Sequence, residues 1–106
     1  MKSTVQVSCA VIINQQNKVL AVQRSEKMSM PLKWEFPGGK IEAGESPEYA
    51  LIREIKEELD VQIELVSSLT PTRHDYGKFQ IRLVPFLAKI KSGRIVLNEH
   101  NKMLWI

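Results

Sequence analysis

β-Branched side chains crowd residues 4–13, TVQVSCAVII, and after a polar break at NQQN the segment KVLAVQR alternates Val19, Ala21 and Gln23 with Leu20 and Val22. Two such strands around a short polar break predict a β-hairpin. From Ser25 to Leu32 the pattern dissolves into SEKMSMPL, a loop long enough to cover or line a site. Trp34–Phe36 reads as a short strand leading into Gly38 and Gly39. The next ordered signal is helical. Ser46 suits an N-cap, Pro47 suits the first helical position, and Glu48 sits near the positive end of the dipole. The helix is predicted to run to about Leu59, with Leu51, Ile52, Ile55 and Leu59 as its apolar stripe. VQIELVSSL, RHDYGKFQIRLVPFLAKI and RIVL then supply strand material, with KSG as a tight hairpin connection before Arg94. No repeat, low-complexity tract or linker divides the chain, so residues 1–106 are expected to form one α+β domain around a mostly antiparallel or mixed sheet.

Composition narrows the class. With 43% hydrophobic and 25% charged residues the chain reads as an ordinary globular protein rather than a disordered one, and 106 residues suffice for a single core. The apolar run VSCAVII is far shorter than the roughly 20 residues that a bilayer-spanning helix needs. Lys2 ahead of it hints at a secretory leader, but Gln6 interrupts the apolar segment and no small-residue cleavage site follows. A cytoplasmic protein with no membrane contact is expected. Cys9 is the lone cysteine and lies among apolar residues, which excludes an internal disulfide and favours a buried structural thiol. A net charge of +3 favours anionic partners in general. Its Lys and Arg residues are scattered rather than gathered in a stripe interleaved with aromatics, so a nucleotide fits better than a nucleic-acid polymer.

The helix carries the candidate chemistry. At about 100° per residue, Glu54, Glu57 and Glu58 fall within an arc of about 100°, beside the apolar stripe. Like charges so close raise one another's pKa and cost stability unless a cation sits among them. Hard oxygen ligands are also what Mg²⁺ or Mn²⁺ requires. Two readings stand at this point, a solvated charged face and a metal site. Arg53 can offset part of the charge, reaching Glu57 one turn on. Upstream, Gly38 and Gly39 either form a tight turn or expose backbone groups to a ligand.

Gly39, five residues, Glu45, seven residues and then REIKEELDV together resemble the signature of the Nudix hydrolases. Arg53, Glu54, aliphatic Ile55, Glu57, Glu58 and aliphatic Val61 all fall at the family's positions. Asp60 departs, standing where the family usually has glycine at the helix C-terminus. Aspartate tolerates the left-handed conformation better than most residues, so a modest stability cost is expected there. The upstream LKWEFPGGKIE is similar to the MutT-type branch, which sanitises or degrades nucleoside triphosphates.

That resemblance implies an α/β/α sandwich around a mixed sheet. It implies Mg²⁺, or Mn²⁺, held by Glu54, Glu57, Glu58 and the Gly38 carbonyl, with Glu54 or a neighbouring carboxylate deprotonating water and Arg53 orienting the glutamates. Glu99 resembles a further acidic ligand or base supplied from a loop; an ordinary surface glutamate is the competing reading. Arg24 and Lys40 resemble phosphate-binding residues, with surface salt bridges as the alternative. Phe36, beside Trp34 and Glu35, either lines a nucleobase pocket or packs in the core, and His74 and Tyr76 could face the same cleft. The implied reaction is cleavage of a nucleoside triphosphate to the monophosphate and pyrophosphate. An oxidised purine such as 8-oxo-dGTP is the first candidate and CTP or a related pyrimidine nucleotide the second. A non-catalytic nucleotide-binding module is the alternative of another class, against which the intact glutamate set argues. Members of the family usually continue past a strand of this kind into a C-terminal helix. With the sequence reaching only Trp105 and Ile106, through either a short or a truncated chain, that helix is expected to be absent and the uncovered apolar surface to favour a homodimer.

Overall fold

A long parallel strand pair organises the molecule. In the computed structural model, which describes residues 3–106, β1 (Ser3–Ile12) runs beside β7 (Phe79–Ser92) in unbroken register from Ser3 opposite Phe79 to Ile12 opposite Ala88. Lys2, read above for a leader, lies outside the described residues. β4 (Gly38–Lys40) adds antiparallel to the other edge of β1. β5 (Gln62–Ser68) and β6 (Thr72–Asp75) both pair antiparallel with the far edge of β7. The sheet order is β4-β1-β7-β5, with β6 also on β7. A second, antiparallel sheet is ordered β3-β2-β8, from β3 (Trp34–Glu35), β2 (Leu20–Gln23) and β8 (Lys102–Trp105). The α+β class and the mixed sheet are those expected, and α1 (Pro47–Leu59) is the one helix among the described residues.

Three local expectations are corrected. The NQQN hairpin shrinks to one bridge, Ile13 opposite Val19, because both edges of β1 are taken by β4 and β7 and β2 must pair elsewhere. Gly38 and Gly39 are not a turn but two residues of β4, opposite Cys9 and Ser8. RIVL is not a strand. Val96 N–H donates to the Leu59 carbonyl at 2.9 Å and Asn98 N–H to that of Glu58 at 3.0 Å, so the segment satisfies carbonyls that a helix C-terminus leaves unpaired.

α1 forms where its signals place it. The Ser46 hydroxyl accepts the Tyr49 N–H at 3.1 Å, a cap worth about 1 kcal/mol. Leu51, Ile55 and Leu59 are fully buried against Ala10 and Ile12 of β1 and Val84, Phe86 and Ala88 of β7, with Ile52 partly buried alongside. Each such side chain contributes roughly 1.5–3 kcal/mol of burial, which fixes the helix on the sheet and leaves its glutamate face beside β4.

The helix stops at Asp60, whose φ of 58° and ψ of 31° are left-handed, with its N–H on the Lys56 carbonyl and its carboxylate on Lys56 Nζ at 2.9 Å. A side chain there strains the backbone, and an acid there opposes the negative end of the helix dipole; the compensating ion pair is exposed and weak. Asp60→Gly is therefore expected to raise stability to urea by about 0.5–1 kcal/mol, and Asp60→Val to lower it by about 1 kcal/mol or more. A less stable glycine variant would show that the ion pair outweighs the strain.

Candidate active site

One guanidinium collects three carboxylates. Arg53 donates from Nε and Nη2 to both oxygens of Glu45, at 2.7 and 2.9 Å, in the two-pronged geometry that only arginine offers. Its Nη1 reaches Glu54 at 3.0 Å and, more loosely, Glu57 at 3.3 and 3.4 Å. Glu45 is placed for this by the turn before the helix, where its own carboxylate accepts the Glu42 N–H at 2.9 Å. Hydrogen bonds with Arg53 hold the Glu45 carboxyl below the usual carboxylate range. The repulsion along the helix is thus partly answered by Arg53, while Glu57 remains about half exposed.

β4 lies against Glu54. A Cβ on Gly39 would collide with the Glu54 carboxylate, and one on Gly38 with the Ser8 carbonyl oxygen. The glycines serve close approach, of strand to strand at Gly38 and of strand to carboxylate at Gly39.

Glu58 differs from its two companions. Its side chain is only 6% exposed, and one of its oxygens, Oε2, is buried without a hydrogen-bond partner. Burial first, then the neighbouring Glu54 carboxyl and the charges of Glu99 and Glu35, push the Glu58 carboxyl up to about 9. Its other oxygen lies 3.6 Å from His100 Nε2. That imidazole is 1% exposed and sits 3.2 Å from Glu35 Oε2. Burial would raise the Glu35 carboxyl, but hydrogen bonds from His100 and Arg24 hold it low and ionised, so His100 Nε2 is the donor. Nδ1 is left buried and without a partner. Arg24 completes the chain of contacts, donating to Glu35 at 3.0 and 3.2 Å and to the carbonyl and hydroxyl of Ser29 at 2.7 and 3.2 Å.

Two loops face each other beside this cluster. Ser25–Met28 on one side and Asn98, Glu99 and Asn101 on the other line a cleft of about 600 Å³. The second loop is held by Asn98 on the end of α1 and by the Asn101 N–H on the Gln23 carbonyl at 3.0 Å. Glu99 thus stands exposed in the cleft, close enough to α1 to act on Glu58.

The remaining candidates divide. Arg24 is engaged by Glu35 and Ser29, and it braces the first loop. Lys40 is exposed at the end of β4 and makes no ion pair among the described residues. Phe36 and Trp34 are 43% and 46% exposed, which removes the core-packing reading for both. Tyr76 stacks on Phe79 and lies tilted against His74 at the β6–β7 turn, away from the residues lining the cleft. Cys9 is buried, and its thiol is pushed up to about 11 by burial and by Glu35, as suits a structural residue.

Sequence reasoning missed His100, Glu35 as its partner, the clamp by Glu45, and Lys27 in the cleft lining. Glu45 had a signal, its place in the signature that the sequence resembles. His100 had only its place next to Glu99.

The donors fit a hard divalent cation in kind. They are carboxylates, an unpartnered oxygen on buried Glu58, and a glycine strand laid against Glu54. They are not gathered into a finished cage: among the described residues no three acidic, histidine or cysteine side chains converge as a metal centre. Arg53 draws Glu54 and Glu57 to one side and Glu58 turns toward His100.

Known proteins share this arrangement of chain. A curated protein of Proteus vulgaris named 8-oxo-dGTP diphosphatase is 38% identical over 86 residues, 81% of this chain and 77% of that one. One of Escherichia coli K12 named CTP pyrophosphohydrolase is 30% identical over 96 residues, 91% of this chain and 71% of the other. Among solved structures, a MutT protein of the Nudix hydrolase family from methicillin-resistant Staphylococcus aureus 252 is 40% identical and superposes with a TM-score of 0.79, covering 100% of this chain and 81% of that one. The NUDIX domain model matches residues 2–105, so the chain belongs to the Nudix hydrolases.

Proposed function

We propose that this chain hydrolyses nucleoside triphosphates to the monophosphate and pyrophosphate with Mg²⁺ bound, and that 8-oxo-dGTP is its substrate. One observation carries the reading: Glu58 is buried with an unpartnered oxygen beside Glu54, on the helix face that β4 closes. Glu54, Glu57 and Glu58 would hold Mg²⁺ with the Gly38 carbonyl, and Glu99 would join them from the cleft. Bound there, the ion supplies charge neutralisation and polarisation of the phosphoryl oxygens. Mn²⁺ suits the same hard donors.

The chain's own groups do the rest. Glu54 orients the attacking water and takes its proton, and Arg53, fixed by Glu45, keeps Glu54 and Glu57 turned to one face. Lys27 from the cleft and Lys40 from β4 attract phosphate oxygens, while Arg24 keeps the first loop in place through Ser29. Phe36, exposed next to the glycine strand, offers a face for the base. The resemblance to a protein named CTP pyrophosphohydrolase supports a pyrimidine nucleotide as the second reading.

Pyrophosphate release from a panel of canonical and oxidised nucleoside triphosphates with Mg²⁺ tests the proposal. The fastest turnover is expected on 8-oxo-dGTP; preference for CTP would move the assignment to the second reading, and release from none would leave a binding module. A Glu57→Gln/Glu58→Gln double variant is expected to lose on the order of 10²–10⁴-fold in kcat while staying folded.

Glu58 also predicts a pH dependence. Its carboxyl ionises near 4.5 when unfolded and near about 9 in the metal-free fold, so between these values the folded state holds the extra proton. The Glu58 contribution to stability therefore falls as pH rises through that window. In EDTA the melting temperature should decline from about pH 6 to about pH 9, and Glu58→Gln should flatten the decline. Added Mg²⁺ should raise the melting temperature most at the alkaline end. An unchanged slope in the glutamine variant would contradict this.

A further inference from the structure

His100 is buried, with its side chain 1% exposed, between Glu99 and Asn101, which are both exposed. Burying an imidazole costs free energy unless its nitrogens are satisfied, and here Nδ1 has no partner. A purely structural position would be filled more favourably by an apolar side chain. What the imidazole does is touch two acids from two other parts of the chain. Nε2 donates to Glu35 of β3 at 3.2 Å and stands 3.6 Å from Glu58 in the last turn of α1. Glu35 is in turn fixed by Arg24, which grips the Ser25–Leu32 loop at Ser29.

The neighbouring residue gives this contact its meaning. Glu99 is exposed in the cleft, and the chain on either side of it is anchored by backbone contacts, from Asn98 to α1 and from Asn101 to β2. Between those anchors His100 is the side chain that turns inward, so it sets how far the Glu99 backbone stands from the helix. The same ring bounds the space open to the Glu58 carboxylate.

We propose that His100 is a positioning residue, whose contacts with Glu35 and Glu58 lock β3, the end of α1 and the 98–101 loop together and so place Glu58 and Glu99 for the divalent cation. The inference rests on the hydrolase reading above. His100 touches neither substrate nor reacting atoms; it acts through the two glutamates. Glutamine can imitate it, because its amide nitrogen reaches the position of Nε2 and donates the same hydrogen bond. Asparagine is too short to do so.

The test compares His100→Ala, His100→Gln, His100→Asn and Glu35→Gln by thermal melting, by Mn²⁺ affinity of the free protein, and by kcat and KM on the best triphosphate of the panel. His100→Ala should melt as a folded protein, bind Mn²⁺ about 10-fold more weakly and lose about 10–100-fold in kcat, with KM changed less than about threefold. His100→Gln should recover most of both losses and His100→Asn should not. The double variant with Glu35→Gln should lose less than the two single losses combined, since the two side chains share the Nε2–Glu35 contact while His100 also meets Glu58 and Glu35 also meets Arg24. Should His100→Ala fail to fold, the Gln and Asn variants make the same comparison. Unchanged Mn²⁺ affinity and kcat in a variant with only a lowered melting temperature would overturn the proposal, as would a stable glutamine variant no better than alanine. If the wild type binds Mn²⁺ but turns over no triphosphate, the substrate reading fails and Mn²⁺ affinity alone decides for or against His100. A wild type that does not bind Mn²⁺ overturns the proposal.

Discussion

Carboxylates held a few ångströms apart set the terms for everything around them. At an effective dielectric constant near 20, two unit charges 4 Å apart interact by roughly 4 kcal/mol, several times what a helix cap returns. A second carboxylate beside Glu54 is therefore hard to charge, and Glu54 is among the groups that push the Glu58 carboxyl up. The protein meets this in two ways. Arg53 lies against Glu45, Glu54 and Glu57, and His100 lies against Glu35 and Glu58. What they do not answer falls on Glu58, whose carboxyl burial and the neighbouring Glu54 push up and whose Oε2 has no hydrogen-bond partner.

The fold makes this arrangement affordable by placing it over the best-packed part of the molecule. Leu51, Ile55 and Leu59 share the helix with the glutamates and are fully buried on the central strand pair. A helix held that firmly can carry an uncomfortable face. Apart from Asn17 in the NQQN turn, the non-glycine residues with positive φ among the described residues flank the site: Met30 and Leu32, with φ of 48° and 63°, end the loop that Arg24 grips, and Asp60 ends the helix. Local irregularity beside functional groups is a common pattern where a rigid scaffold supports it.

What could be read in advance was what depends on near neighbours. The cap at Ser46 and the apolar stripe follow from the order of residues along one helix, the left-handed Asp60 from the family position that the resemblance gives it, and all three are found. The NQQN break and RIVL were misread because their outcome depends on which strand edges and carbonyls remain free, a property of the assembled sheet. Arg24, Glu35 and His100 come from three distant points in the chain, and the contacts that bind them have no local pattern. Trp34 and Phe36 are apolar in type, but strand β3 is two residues long at the edge of its sheet and offers no interior to bury them.

The unequal grip of Arg53 ties these observations to chemistry. Its contacts with Glu45 are the shortest it makes, while those with Glu57 are the longest. Glu45 leans on the turn before the helix, so Arg53 is fixed from outside the glutamate face rather than by it. Glu54 and Glu57 can therefore turn away from the guanidinium without releasing it, and the guanidinium stays to orient them and to offset their charge. A lysine could not do this, because one ammonium cannot form the paired bonds that hold the side chain at Glu45. Glu45 and Arg53 thus form a fixed post, and the looser partners, Glu54 and Glu57, are two of the residues proposed above to hold the cation.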